Sequence, residues 1–265
     1  CVLYLILQRY SNVGDSRMSP RFPLLLGFSA FAVASLFGWS AAQASPVTAT
    51  LSAQYFEVAG GTDPDFPGPT PTVLLGSTLG PNGLPVSTGG STPDVNPGTN
   101  EITWWSPSLN SNVTATGSGT ISLPYSSNMY APNSTGTNDA TEFETAVFTG
   151  TFTLSAAEAV EFQLGSDDDS FIYVDGILIG SNPGIHAVTN VDFTSAVLPA
   201  GVNSIEVFYD DREQIGAYLS LDLLTSGVVI TPIGVPEPGT LALLGTGLAG
   251  LAFFRRRQKR SQSAA

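Results

Sequence analysis

Phe171-Ile172-Tyr173-Val174-Asp175-Gly176-Ile177-Leu178-Ile179 sets two short runs of β-branched and aromatic residues on either side of an Asp-Gly pair. A two-residue type I′ turn needs positive φ at both central positions, which glycine adopts freely and aspartate tolerates. The stretch predicts a β-hairpin with Asp175 and Gly176 as its structural turn residues. Strand periodicity continues outward from it. Upstream, Phe148, Gly150, Phe152 and Leu154 alternate with threonines, a Ser155-Ala156-Ala157-Glu158 corner follows, and Val160, Phe162 and Leu164 alternate again. Downstream, Ile205, Val207 and Tyr209 follow the Pro199-Ala200-Gly201 turn, and Leu219, Leu221 and Leu223 form a last alternating set. Ile102 to Trp105 and Val113 to Leu123 are β-like pieces among Asn, Ser and Gly turns, while residues 60–100, rich in Gly, Pro, Thr and Ser, read as long loops. No amphipathic helix precedes residue 239. The pattern implies an all-β fold, a sandwich or a barrel.

Charge is distributed unevenly along the 265 residues. Between residues 45 and 234 there are twenty acids and a single basic residue, Arg212, a net charge of −19 against −13 for the whole chain. Such a field disfavours nucleic acid and anionic membrane surfaces and favours divalent cations. It also keeps an extracellular protein soluble without any ligand. The one cysteine is Cys1, so no disulfide supports the body, and stability must come from a hydrophobic core.

Both ends read as targeting sequence. Met18-Ser19-Pro20-Arg21 is a basic n-region, Phe22 to Trp39 an apolar h-region, and Ala42-Gln43-Ala44 an A-x-A cleavage site, so residues 18–44 are expected to be a signal peptide and Ser45 the mature start. An uncleaved N-terminal anchor is the alternative. Residues 1–17, ahead of Met18, are expected to be upstream mistranslation. At the other end Pro236, Glu237 and Pro238 precede an apolar run, residues 239–254, that stops at Arg255, Arg256 and Arg257. The prolines allow a helix to begin only at about Gly239. Sixteen residues at ~1.5 Å each give about 24 Å, short for a hydrocarbon core of about 30 Å. The basic end would remain cytoplasmic. Residues 235–260 resemble the PEP-CTERM sorting signal of Gram-negative bacteria. The resemblance implies transient anchoring in the inner membrane, processing by an exosortase-type enzyme, and a final address at the cell surface or in the extracellular, exopolysaccharide-containing matrix. Gly245-Thr246-Gly247-Leu248-Ala249-Gly250 matches GxGxxG, but it lies inside the apolar run without a preceding strand, so it is no nucleotide site. The expected domains are thus an acidic all-β ectodomain over residues 45–226, a linker over 227–234 and the sorting signal.

The most specific feature of the body is Gly165-Ser166-Asp167-Asp168-Asp169-Ser170, followed by the hairpin, by Gly184-Ile185-His186, and by Val207-Phe208-Tyr209-Asp210-Asp211-Arg212. Over residues 146–224 this succession resembles PA14-type domains and the related fibro-slime domain. Leu51 to Val58 resembles the opening PA14 strand. The resemblance implies a β-sandwich, jelly-roll-like ectodomain in which Asp167 and Asp168 bind Ca²⁺ that in turn coordinates sugar hydroxyls. Crowded carboxylates with hard oxygen donors suit Ca²⁺ independently of the resemblance, so Asp167, Asp168 and Asp169 are the candidate metal ligands. Asp210, Asp211 or carbonyls of Asn182-Pro183-Gly184 are candidates to complete the shell. The alternative is a solvated turn whose carboxylates cap backbone amides.

Arg212 among Asp210, Asp211 and Glu213 reads as a structural guanidinium tying acidic loops together. His186, the chain's one histidine, reads as a structural hydrogen-bonding residue. Trp104-Trp105 fit sugar stacking or core packing equally. No nucleophile motif is present, which argues against an enzyme. The sequence therefore points to an exported surface or matrix protein with a Ca²⁺-supported carbohydrate-binding module. The alternatives are a purely structural matrix or biofilm protein and a carboxylate-dependent glycosidase.

Overall fold

The computed structural model describes residues 49–68, 73–89, 94–137 and 139–233. The expectations for residues 1–17, the signal peptide and the apolar run 239–254 lie outside them. The described residues form strands and turns with no helix. In chain order the strands are β1 (Ala49–Ala59), β2 (Leu74–Leu79), β3 (Pro85–Gly89), β4 (Val113–Leu123), β5 (Tyr125–Asn128), β6 (Glu142–Leu154) and β7 (Glu161–Asp167). There follow β8 (Asp169–Val174), β9 (Ile177–Asn182), β10 (Thr189–Thr194), β11 (Gly201–Asp210), β12 (Tyr218–Leu223) and β13 (Ile230–Pro232). The larger sheet runs β3-β2-β9-β8-β11-β6-β1-β4, with β13 also pairing β6, and the smaller runs β10-β7-β12-β5.

The two sheets enclose a core of Leu51, Phe148, Phe152, Ile172, Val174, Ile205 and Val207 from the larger and Phe162, Leu164, Leu219 and Leu221 from the smaller. This is the sandwich that the alternation predicts, since side chains two apart share a face. The hairpin joins β8 to β9 with φ of 50° at Asp175 and 71° at Gly176, as a type I′ turn requires. The Asp175 carboxylate also accepts the Ser204 amide at 2.7 Å, linking the turn to β11.

Two expectations need correction. Residues 60–100 are not simply loops: β2 and β3 form a hairpin that extends the large sheet through the Thr78–Ile177 pair, and the Leu79 amide donates to the Gly176 carbonyl. With residues 101–113, this segment covers the outer face of the large sheet. Phe66, Val73, Leu84, Ile102, Trp104 and Trp105 pack there against Phe56, Val58, Phe143, Phe171, Tyr173 and Phe208. β8 is therefore buried on both faces, Ile172 and Val174 in one core and Phe171 and Tyr173 in the other. Second, residues 227–234 are not a plain linker. Val228 and Ile230 are buried in the sandwich core, and β13 pairs Ile230 with Phe152, so the domain reaches at least Pro232.

Candidate functional site

The acidic triplet sits where β7 passes into β8, between the sheets' ends, facing the start of the loop after β11. Asp168 and Asp169 are buried and Asp167 is half-buried, so the reading of a solvated turn fails for the first two. Capping of amides, the other half of that reading, is present. Asp168 accepts the His186 amide at 3.1 Å on Oδ1 and the Arg212 amide at 2.8 Å on Oδ2. Asp169 accepts the Gly184 amide on Oδ1. The Gly-Ile-His loop is thus held by the triplet through its backbone, a contact made by residues that follow it by fifteen and eighteen positions.

Arg212 is fully buried. Its Nε and Nη2 both reach Asp169 Oδ2, at 2.7 and 2.6 Å, its Nε lies 3.5 Å from Asp210 Oδ1, and its guanidinium stacks over the Trp104 ring at 5.1 Å. The chain's one body cation therefore serves Asp169 and Asp210. Trp104 and Trp105 are buried, and Trp105 donates to the Tyr209 carbonyl at 2.8 Å, so they pack the core and offer no face to a sugar ring.

What remains is an acidic group to which the Arg212 guanidinium makes no hydrogen bond. Asp211 is buried, no side chain donates a hydrogen bond to its carboxylate, and the Glu213 backbone amide is the donor that pulls against its protonation. Burial first, and then the charges of Asp168, Asp139 and Asp167, push its carboxyl up to about 10. Burial likewise raises Asp168 to about 7, against the opposing pull of the two amides it accepts. Asp167 is raised too, by burial, with a side-chain hydrogen bond to Asp168 and then the His186 ring pulling the other way. The Asp167 carboxylate lies against Gly216, where φ is +88° and an added Cβ would stand 2.5 Å from Oδ2. His186 contributes its amide; its Nδ1 lies 3.0 Å from the Ala187 carbonyl, and its Nε2 is buried without a partner. Asp167, Asp168, Asp211 and Asp139, from three separate parts of the chain, thus lie in one another's field, but no three of them bring carboxylate oxygens within 4.8 Å of one another. Asp169, read from sequence as a third ligand, has both oxygens engaged by Gly184 and Arg212.

The sequence reading passed over a second acidic group. One carboxylate oxygen from each of Asp63, Asp65 and Asp94 lies within 4.8 Å of the others. The signal was faint: Asp63-Pro64-Asp65 is a short acidic pair in a loop, and Asp94 follows 29 residues later.

The family model of the PEP-CTERM protein-sorting motif matches residues 234–257, a span that holds Pro236, Glu237, Pro238, Arg255, Arg256 and Arg257. The chain carries this sorting motif. It is accordingly an exported protein, addressed to the cell envelope. A search of curated protein sequences found no match. Among solved structures, the chain is similar to the PA14 sugar-binding domain from an RTX adhesin, at 14% identity over 69% of this chain and 94% of that one, with a TM-score of 0.35. It is similar to the PA14 domain of the MpAFP antifreeze protein at 12% identity over 71% and 93%, with a TM-score of 0.32. It is also similar to the Epithelial Adhesin 9 A domain from Candida glabrata in complex with Galb1-4GlcNAc, at 10% identity over 70% and 89%, with a TM-score of 0.34. Two of these are PA14 domains. Similarity at this level assigns no function.

Proposed function

We propose that this PEP-CTERM-sorted protein is a Ca²⁺-supported carbohydrate-binding module that works at the cell surface or in the extracellular polysaccharide matrix. Its cation is held by Asp167 and Asp168, in the field of Asp211 and Asp139. The observation that carries the reading is Asp211: a buried carboxylate to which no side chain donates, beside three further acids. Such an arrangement is costly unless protons or a cation neutralise it. Ca²⁺ takes 6 to 8 oxygen ligands and commonly uses carbonyls and water beside carboxylates. Asp167, half-buried, is the edge at which bound Ca²⁺ would meet solvent and sugar hydroxyls.

A glycosidase is less well supported. Asp168, Asp169, Asp210 and Asp211 are buried, and the cavity described below carries one carboxylate, not the facing pair that glycoside hydrolysis uses. In this reading the tail anchors the protein in the inner membrane only until an exosortase-type enzyme acts.

A glycan array probed with the full chain in Ca²⁺ and in chelator tests the proposal. Saturable binding that disappears in chelator and in the Asp167→Asn/Asp168→Asn variant is the expected result. Absence of saturable binding in Ca²⁺ would make this a structural matrix protein. Release of sugar from any bound glycan would make it a hydrolase.

A further inference from the structure

We propose a second, independent Ca²⁺ site formed by Asp63, Asp65 and Asp94, whose ion clamps the covering loops onto the outer face of the large sheet. Asp63 and Asp65 lie on the β1–β2 connection, and Asp94 lies on the β3–β4 connection. One carboxylate oxygen of each lies within 4.8 Å of the others, close enough for a single ion to bind all three. No histidine or cysteine takes part, so the donor set is hard oxygen.

The hydrogen bonds around the cluster leave a charge deficit at its centre. Asp63 accepts the Asp65 amide at 2.9 Å on Oδ1, and Asn110 and Asn112 side-chain amides at 3.1 and 3.4 Å on Oδ2. Asp94 accepts from Asn110 at 3.2 Å. Asp65 Oδ2 accepts the Trp104 indole at 2.7 Å and the Asp94 amide at 3.3 Å. Every one of these donors is neutral, and the one cation whose field reaches Asp65 is Arg212, whose guanidinium is bonded to Asp169. Asp65 is 1% exposed, and its Oδ1 is buried with no hydrogen-bond partner at all. A carboxylate oxygen sealed from water and unpaired, beside two more carboxylates, is a ligand position for a cation.

The cluster also has an entry path. A cavity of about 450 Å³ is lined by Asp94, Asn110 and Asn112 together with polar residues such as Asn96, Thr103 and Ser108. It gives an ion access and leaves room for the water ligands that Ca²⁺ retains in a site of three carboxylates. The mechanical consequence follows from connectivity. A single ion would tie two connections about thirty residues apart to each other and, through Trp104, to the aromatic layer on the large sheet.

Trp104 supplies the probe, because its indole already touches Asp65. The full chain, purified in mild detergent and freed of metal by chelator, is titrated with Tb³⁺ as a luminescent Ca²⁺ substitute while tryptophan is excited. Tryptophan-sensitised Tb³⁺ emission that Ca²⁺ displaces is expected. It should persist in Asp167→Asn/Asp168→Asn, which removes only the other acidic group. Asp94→Asn alone, at a half-buried position, should weaken Ca²⁺ competition by about tenfold or more, since affinity follows ligand charge. In the Asp167→Asn/Asp168→Asn background, which leaves this as the one proposed Ca²⁺ site, adding Asp63→Asn/Asp94→Asn should abolish the displaceable emission with the far-ultraviolet circular dichroism unchanged. Wild-type protein without displaceable emission would overturn the site, with no variant needed. Emission unaffected by Asp94→Asn, or lost in Asp167→Asn/Asp168→Asn, would overturn it equally. A glycan array that fails leaves this measurement untouched, so the two proposals fall separately.

Discussion

The two faces of the large sheet are covered in different ways. On the inner face, β7 and β12 meet β6, β8 and β11 strand over strand, and the contact is built of Phe, Leu, Ile and Val from regular alternation. On the outer face the cover is an irregular segment anchored by a few large aromatics, with Trp104 edge-on to Phe66 at 5.5 Å and Trp105 to Phe208 at 5.0 Å. The inner face uses area, which is non-directional and forgiving of shape. The outer face uses polar anchors: the Trp104 and Trp105 indoles donate to Asp65 and the Tyr209 carbonyl, and Thr145 donates to the Trp104 carbonyl at 2.8 Å. Loops carry backbone groups that no ladder satisfies, so a loop layer needs such bonds where a sheet layer does not. Charge follows the same division, since both acidic groups lie where loops meet the sandwich.

That difference is open to attack at its joint. Arg212 holds Asp169 and Asp210 while stacking on Trp104, so it fastens the acidic corner to the loop layer. Arg212→Met leaves a buried carboxylate without its cation and is expected to lower stability by about 3–5 kcal/mol, measured by denaturant unfolding of the full chain in detergent. A loss under 1 kcal/mol would show that the corner does not depend on its cation.

Conservative changes on each face should then differ in kind. Trp104→Phe keeps a ring and removes the donor to Asp65, at an expected cost of about 1–3 kcal/mol. Phe148→Leu in the sandwich core changes only shape, at about 1 kcal/mol. Equal losses would mean that area alone holds both faces.

A pH dependence tests the end of the sandwich face. Glu144 is buried on β6; its Oε1 accepts the Ser134 amide at 3.0 Å and its Oε2 has no partner. Burial raises its carboxyl from 4.5 to about 8. In that window the native state keeps a proton that the unfolded chain has already lost, so stability falls as pH rises from about 5 to 8, by at most about 1.4 kcal/mol per unit. Glu144→Gln stays neutral and should flatten that slope in melting curves taken across the range. An unchanged slope would assign it to the other buried acids.

The residues that the sequence made legible are those whose partners are local or whose pattern repeats. Asp175-Gly176 declared its turn because only residues tolerant of positive φ fit there. Phe148 to Leu154 and Ile205 to Tyr209 declared strands because alternation needs no knowledge of what covers each face. The sorting motif was legible for the same reason: Pro236 to Pro238, an apolar run and Arg255 to Arg257 act through composition and order, without a folded context. The outer cover was not legible. Phe66, Trp104 and Trp105 stand in Gly- and Pro-rich sequence without periodicity, and their burial depends on a sheet face formed by distant strands. Residues 227–234 passed for a linker because Val228 and Ile230 are too few to mark a strand until β6 supplies the partner. Likewise the triplet announced its charge but not its division of labour. Arg212 neutralises Asp169 and leaves Asp211 exposed to Asp168 and Asp139, and the Asp63, Asp65 and Asp94 oxygens meet only because two loops close over one sheet. Local stereochemistry and hydrophobic period are written in consecutive residues, whereas the sign and satisfaction of a buried charge depend on groups that only folding brings within reach.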